Sequence, residues 1–317
     1  MLHTVAAPWM WGAFFLFVVG AIYVDLAAIR HKGEHTVGFR EALGWSLLWI
    51  SLALVFNALL WFWIDQHEGR ALANQKATEF LTGYVIEKSL SVDNLFVFML
   101  LFRTFAVPGE LQKHALIIGV VGAIILRTIM ILIGAWLISQ FHWILYLFGA
   151  FLVYTGIKML VAAEEDPDIE QNPVLHWMRG HLNLTRNYES NHFWFRRDGI
   201  RWYTPLFVVV ALIAVTDVIF AVDSIPAIFA VTTDPFIVMT SNIFAVLGLR
   251  ALYFMLAGMA DRFHLLKFGL AFVLAFIGIK MLIVEWYAIP TGASLAVVAM
   301  LLTVSIVASL LRPEHKE

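Results

Sequence analysis

The stretch SLSVDNLFVFMLLF occupies Ser89–Phe102, and a related one, IFAVDSIPAIFAV, occupies Ile219–Val231. Each sets an aspartate, Asp93 or Asp223, inside an apolar run, with a small polar neighbour, Asn94 or Ser224. A second acid, Glu87 or Asp217, precedes each aspartate by six residues. The surroundings decide how to read them. The 317 residues are 61% hydrophobic and only 14% charged, with a mean hydropathy of +0.83. Soluble domains carry about a quarter charged residues, so the chain reads as an all-α, polytopic integral membrane protein. A carboxylate at the centre of a membrane helix costs about 2.5–3.5 kcal/mol on insertion scales. Four of them in two matched segments call for a function.

A bilayer core needs about 20 apolar residues per helix. Runs of that kind lie near 8–29, 43–64, 80–102, 115–138, 143–161, 204–226, 236–259, 267–286 and 292–311, which predicts about nine spans. The first run is too long for a signal-peptide core and lacks a basic flank, so it reads as a retained span. A polar stretch, 162–203, interrupts the series. It is acidic at first (Glu164, Glu165, Asp166, Asp168, Glu170) and basic later (Arg196, Arg197, Arg201). Its aromatic residues (Trp177, Phe193, Trp194, Phe195) point to a folded or surface-lying loop with an amphipathic helix around 173–183. Lysine and arginine crowd the loops on one side, whereas only Arg70 and Lys76 fall on the other. The positive-inside rule therefore places the N-terminus outside and the C-terminus in the cytoplasm.

The chain repeats itself. GIKML occurs at Gly156–Leu160 and at Gly278–Leu282, and ILRTIMI (Ile125–Ile131) matches GLRALYF (Gly248–Phe254), which aligns Arg127 with Arg250. Acid, acid, arginine and GIKML follow in one order in both halves, at offsets of 130, 130, 123 and 122 residues. Each copy holds three spans, 80–161 and 204–286, so the second enters the membrane from the opposite side. That is an inverted 3+3 helix repeat, the architecture in which secondary transporters form a midplane site. The remaining segments are a two-helix extension over 1–79, the cytoplasmic loop over 162–203, and a C-terminal helix and tail over 287–317.

On a straight helix Glu87, Ser91 and Asn94 share a face, as do Asp217, Ala221 and Ser224, while Glu87 and Asp93 stand about 9 Å apart along the axis. Pro226 lacks an amide hydrogen and its ring opposes the carbonyl of Val222. A helix broken there would free carbonyl oxygens beside Asp223 for a hard cation. The metal-site candidates are thus Glu87, Asp93, Asn94, Asp217, Asp223 and Ser224. The competing reading pairs the acids structurally with Arg127, Arg250 or Lys88. The two arginines read as internal counter-charges, with Lys88 and Lys280 as further charge-balancing candidates. Lys158, near a span end, reads as a snorkelling side chain. Asn94 and Ser224 serve equally well as ligands or as helix-packing residues, and Asn57 and Asn242 read as interhelical hydrogen bonders. Histidines lie in loops or at span edges (His31, His35, His67, His142, His176, His181, His192, His264), which disfavours a midplane imidazole site. Cysteine is absent, so thiol redox chemistry and thiolate metal sites are excluded. No glycine-rich phosphate loop is present, and a net charge of −2 offers nucleic acid nothing. No enzyme activity and no resident cofactor are expected.

The segments IEKSLSVDNLFVF (Ile86–Phe98) and TDVIFAVDSIPAIFAVTTDPF (Thr216–Phe236), with the paired arginine and GIKML motifs, resemble the TerC family of membrane proteins, closest to its Alx branch. The resemblance runs over essentially the whole chain. It implies a fold related to the LysE-type exporters, residence in the bacterial cytoplasmic (inner) membrane, and manganese export by this branch, with induction at alkaline pH. It also implies metal-ligand roles for Glu87, Asp93, Asp217 and Asp223. Older descriptions of the family speak of tellurium resistance and redox modulation. The reading is a secondary transporter exporting a divalent cation, with Mn²⁺ favoured, in exchange for protons. The alternatives are a metal-handling partner that supplies Mn²⁺ to secreted or translocating proteins through the 162–203 loop, and a membrane redox modulator. One position departs from the family. Relatives carry glutamate three residues before the aspartate equivalent to Asp217, where this chain reads IAVTD with Ala214. That glutamate would face the same way as Asp217. Ala214→Glu is expected to tighten divalent-cation binding, and titration of both proteins with Mn²⁺ checks it; equal affinities would refute the assignment of that face.

Overall fold

The computed structural model describes residues 4–30, 38–141, 143–161, 172–185, 188, 192–197, 199–257 and 265–311. The acidic part of the loop (Glu164, Glu165, Asp166, Asp168, Glu170) and His31, His35, His142 and His264 lie outside the described residues. Eleven helices and one hairpin follow in the order α1 (Pro8–Arg30), α2 (Phe39–His67), α3 (Arg70–Thr104), α4 (Gly109–Gln140), α5 (Ile144–Val161), α6 (Pro173–His181), β1 (Trp194–Arg197), β2 (Ile200–Tyr203), α7 (Pro205–Phe229), α8 (Pro235–Leu247), α9 (Leu249–Leu256), α10 (Leu266–Leu282) and α11 (Thr291–Leu311). Six helices, α1, α2, α4, α5, α7 and α11, are long and apolar enough to cross a membrane, and α8 with α9 makes a seventh if the bent pair is one span. Each of the nine apolar runs folds as helix over most of its described residues, but two miss that standard for physical reasons. The 35-residue α3 carries Glu79, Glu87, Lys88 and Asp93 among its apolar residues. The 17-residue α10 is shorter than a full crossing requires.

One local expectation is corrected. Pro226 does not break its helix: α7 runs through it to Phe229, because a proline three residues from a helix end disturbs only the last turn. The break lies in the counterpart of α4, where Gly248 separates α8 from α9 and the two axes diverge by 41°. The loop also holds a hairpin that the sequence reading did not anticipate, with Trp194 opposite Tyr203 and Arg197 opposite Ile200. Gly199, at φ +78°, supplies the left-handed residue such a tight turn needs. The short helix is present as α6, started by the Asn172 side chain, which accepts hydrogen bonds from Val174 N at 2.9 Å and Leu175 N at 3.4 Å. Tyr188 ties the loop to α3 by donating to the Phe105 carbonyl at 2.7 Å. Burial pushes this phenol up to about 12, so it remains a donor at any physiological pH.

Packing centres on α8, in which every residue from Pro235 to Leu247 is buried. A helix apolar all round belongs in the middle of a bundle. It lies against α3, while α4 lies against α7. Around them, large apolar side chains such as Leu16, Leu59, Phe62, Leu132 and Trp136 face outward, as a lipid-facing belt requires.

The most intimate crossing joins α5 to α10, the two helices that carry GIKML. A Cβ on Gly156 would lie 2.8 Å from Ala271 O and 2.9 Å from Ala275 N. One on Gly278 would lie 2.6 Å from Gly149 O and 2.8 Å from Val153 N. At the offset of 122 residues these contacts exchange with one another, Gly156 with Gly278, Gly149 with Ala271 and Val153 with Ala275. Small residues that let backbones touch are how membrane helices associate where lipid removes the hydrophobic drive. Gly278→Val is expected to destabilise the protein by about 2 kcal/mol or more, since backbone cannot give way as a side chain does. Gly122→Val, which meets nothing within 4 Å, serves as control in thermal unfolding in detergent, and equal midpoints for the two would contradict this account of the crossing.

Candidate functional site

Glu87, Ser91 and Asn94 follow one another on a single face of α3 because their spacings of four and three return to the same side of the helix. All three are buried, Glu87 completely. Arg127 of α4 reaches this face with no exposed surface. Its Nη1 donates to Glu87 Oε1. Its other edge grips Asp217 of α7, with Nη2 donating to Oδ1 at 2.9 Å and Nε to Oδ2 at 3.3 Å. A planar guanidinium offers donors on two edges and so spans two carboxylates, which a lysine ammonium does less well. The rest of the cluster serves the same ions. Asn242 of α8 donates Nδ2 to Glu87 Oε2 at 2.9 Å, and Ser91 donates to Oε1 at 3.4 Å. The Asn94 amide, turned with its oxygen toward the guanidinium, accepts from Arg127 Nη2 at 3.3 Å and donates to the Leu90 carbonyl at 3.2 Å.

The other two acids meet elsewhere. Asp93 lies on a different side of α3, within electrostatic reach of Asp223 and of Lys267. Asp223 accepts a hydrogen bond from Thr155 Oγ1 of α5 at 3.2 Å, and Lys158 is the cation in its field. Both aspartates are partly exposed, unlike Glu87 and Asp217. The structure therefore separates the four carboxylates: Glu87 of α3 and Asp217 of α7 meet at Arg127, and Asp93 of α3 lies within the field of Asp223 of α7. Among the described residues no three His, Asp or Glu side chains gather closely enough to hold a metal ion. The reason is the continuity of both helices, which keeps the members of each about 9 Å apart along its axis.

The remaining charge-balancing candidates have partners of their own. Arg250 pairs with Asp25 at the end of α1. Lys88 donates to the Ala245 carbonyl at 3.1 Å, near the negative end of α8, and its Nζ crowds the Gly248 break, where a Cβ would lie 2.7 Å away. Lys280 is buried within the field of Glu79. Glu79 itself takes Lys76 Nζ and Gln75 Nε2, both at 2.8 Å.

Three groups at these sites carry little signal in the sequence. Thr155 adjoins GIKML, a motif marked by its repetition and not by its polar neighbour. Asn242 reads as an interhelical hydrogen bonder, with nothing in the sequence to show that its partner is Glu87. Asp25 sits in the N-terminal extension, outside the repeated pattern. Two oxygens of the set, Asn242 Oδ1 and Ser224 Oγ, are buried with no hydrogen-bond partner in the structure.

The profile of the integral membrane protein TerC family matches residues 72–317. The chain belongs to the TerC family. It is 54% identical over 306 residues to an Escherichia coli K12 protein named as a membrane-bound redox modulator, Alx, covering 96% of this chain and 95% of that one. It is 45% identical over 312 residues to the membrane protein STKORF319 of Myxococcus xanthus, covering 98% and 95% of the two chains. A Rickettsia felis membrane protein is 39% identical over 302 residues, covering 95% and 97%. No solved structure matches. The TerC-matched region contains both carboxylate pairs and Arg127, whereas Asp25, the partner of Arg250, lies before it.

The two pairs differ in what their removal exposes. Removing Asp217 leaves Arg127 balanced by Glu87 but strips two of its buried N–H groups of their acceptors, at about 1–3 kcal/mol each. Asp217→Ala, which strips Arg127 of one of its two anions, is expected to lower the unfolding midpoint by several degrees. Asp223→Ala, at a partly exposed site, is expected to lower it much less. Parallel melts in the same detergent test this; an equal or reversed order would show that Arg127 does not organise the centre.

Proposed function

We propose that this TerC protein is a secondary transporter that exports a divalent metal cation, Mn²⁺ above others, in exchange for protons. The observation that carries the proposal is the pairing of intramembrane acids across the duplication. Glu87 meets Asp217 around one guanidinium, and Asp93 lies in the field of Asp223. Each pair thus draws one carboxylate from each copy of the repeated segment, so a motion of one copy against the other opens or closes both pairs at once. The self-exchanging contact of α5 with α10 supports an inverted 3+3 repeat as the frame for that motion. A second crossing agrees with it. Gly83 of α3 approaches Ser241 of α8, while Ile213 of α7, which aligns with Gly83, approaches Gly119 of α4.

Carboxylate, amide and hydroxyl oxygens form a donor set for hard cations and do not by themselves separate Mn²⁺ from Mg²⁺ or Ca²⁺. The preference for manganese comes from the family resemblance. The partly exposed Asp93–Asp223 pair is the point of entry for the dehydrating ion, and Thr155 orients Asp223 toward it. Protons arriving from the outside neutralise the carboxylates and release the metal. The N-terminus is outside and the C-terminus inside, in a bacterial cytoplasmic membrane. A redox role of the kind the name of the E. coli relative describes could not run through protein thiols here, since the chain has no cysteine.

A second reading has one observation in its favour. The segment between α5 and α7 folds as α6 and a hairpin, with Trp177 and Trp194 on its surface, which suits docking to a protein that receives the metal. Deleting 162–203 separates the two, because transport survives the deletion in the first and metal delivery fails in the second.

The test is uptake by inverted vesicles of Mn²⁺, Ca²⁺, Mg²⁺ and Zn²⁺. Mn²⁺ uptake is expected to respond to an imposed pH gradient and to drop at least tenfold in Asp93→Asn and Asp223→Asn. Uptake indifferent to both substitutions would end the transport reading, and indifference to the gradient alone would end the proton exchange.

A further inference from the structure

We infer that Arg127 is a tethered competitor of the transported cation: its guanidinium and a divalent ion exclude one another at the Glu87–Asp217 pair, and the ion passes only when Arg127 releases both carboxylates. The inference rests on the transport reading above and assigns its central arginine a task beyond charge balance.

Occupancy is the first reason. Arg127 takes Glu87 Oε1 with Nη1, Asp217 Oδ1 with Nη2 and Asp217 Oδ2 with Nε, and Asn242 takes the remaining oxygen, Glu87 Oε2. Each carboxylate oxygen of the pair already accepts a hydrogen bond, three of the four from the guanidinium. Charge is the second. Two carboxylates and one guanidinium sum to −1. Adding a dication with Arg127 in place would set three positive charges against two negative ones in a volume closed to water, where such repulsion is poorly screened. With Arg127 withdrawn, the dication neutralises the pair. The two occupants are alternatives.

The third reason is mechanical. α4 cannot carry Arg127 away by sliding off α7. Gly119, eight residues before it, would place a Cβ 2.9 Å from Ile213 Cγ2, and Gly134, seven after it, 2.9 Å from the Phe229 ring. With the backbone held on both sides, release happens in the long arginine side chain or with movement of α3, which carries Glu87. One oxygen left over at the centre fits an ion that arrives afterwards: Asn242 Oδ1, of the amide that already holds Glu87, is buried without a hydrogen-bond partner in the structure. The aligned arginine of the second copy, Arg250, is paired with Asp25 of α1, so the competition is built into one copy alone. Ions held this way bind with an affinity reduced by the fraction of molecules in which Arg127 has let go, which favours release over capture.

The experiment measures Mn²⁺ binding to the purified full chain in detergent by calorimetry, together with efflux from proteoliposomes, for the wild type, Arg127→Gln and Arg127→Lys. Arg127→Gln is expected to bind Mn²⁺ about tenfold more tightly while turning over more slowly, and Arg127→Lys, which keeps the charge but spans the two carboxylates less well, to fall between the two in affinity. A folded, monodisperse Arg127→Gln protein with unchanged or weaker affinity overturns the inference while the transport reading stands. Absence of Mn²⁺ binding and transport in the wild type overturns both. Should Arg127→Gln fail to fold, the wild type decides. Modification of Arg127 by phenylglyoxal, followed by mass spectrometry against Arg250 as internal reference, is expected to quicken at least threefold with saturating Mn²⁺; no change overturns the inference.

Discussion

Everything at the centre of this TerC protein depends on one guanidinium holding two carboxylates away from water. Glu87 and Asp217 come from α3 and α7, and Arg127 from α4. None of the three would be tolerated alone inside a bundle, because an unpaired buried ion forgoes the hydration that stabilised it. Together they bind three helices from two copies of a repeated segment. The bond is more than an anchor, since the groups that pair internally are also those a hard cation would seek.

The other intramembrane ions are managed by the same rule and end in different places. Arg250 finds Asp25, Lys280 lies in the field of Glu79, and Lys88 turns to the carbonyl end of α8. Asp93 and Asp223 differ: Asp93 lies within the field of Asp223 and Lys267, and Asp223 takes a threonine hydroxyl and lies in the field of Lys158. A molecule that neutralises most of its buried charges with care leaves one like-charged pair partly open.

Breaks in the helices matter for the same reason. A bend at Gly248 presents carbonyl groups at depth, which Lys88 partly satisfies, whereas Pro226 lies too near its helix end to do so. Proline is the more conspicuous signal in a sequence. Glycine acts here through the neighbours it admits, Trp49 and Lys88, and these belong to other helices.

Much of the plan was legible before any coordinates. Composition and run length identify a polytopic helical membrane protein, and the order of acids, arginine and GIKML exposes an internal duplication, because burial of charge and helix length are properties of a local stretch. The faces of α3 and α7 followed from spacing for the same reason. Which cation meets which anion was not legible: Arg127 and Arg250 occupy aligned positions in similar motifs, yet one joins the central acids and the other an aspartate of the first helix. Pairing is a matter of ångströms between helices distant in the chain. Those distances are set by close approaches, to side chains at Gly119 and Gly134 and to backbone at Gly156 and Gly278, whose depth depends on both partners at once. The sequence alone thus determined which residues must lie in the membrane and which of them need a partner. Only the packed helices decided the partner, because electrostatic attraction selects by separation in space and not along the chain.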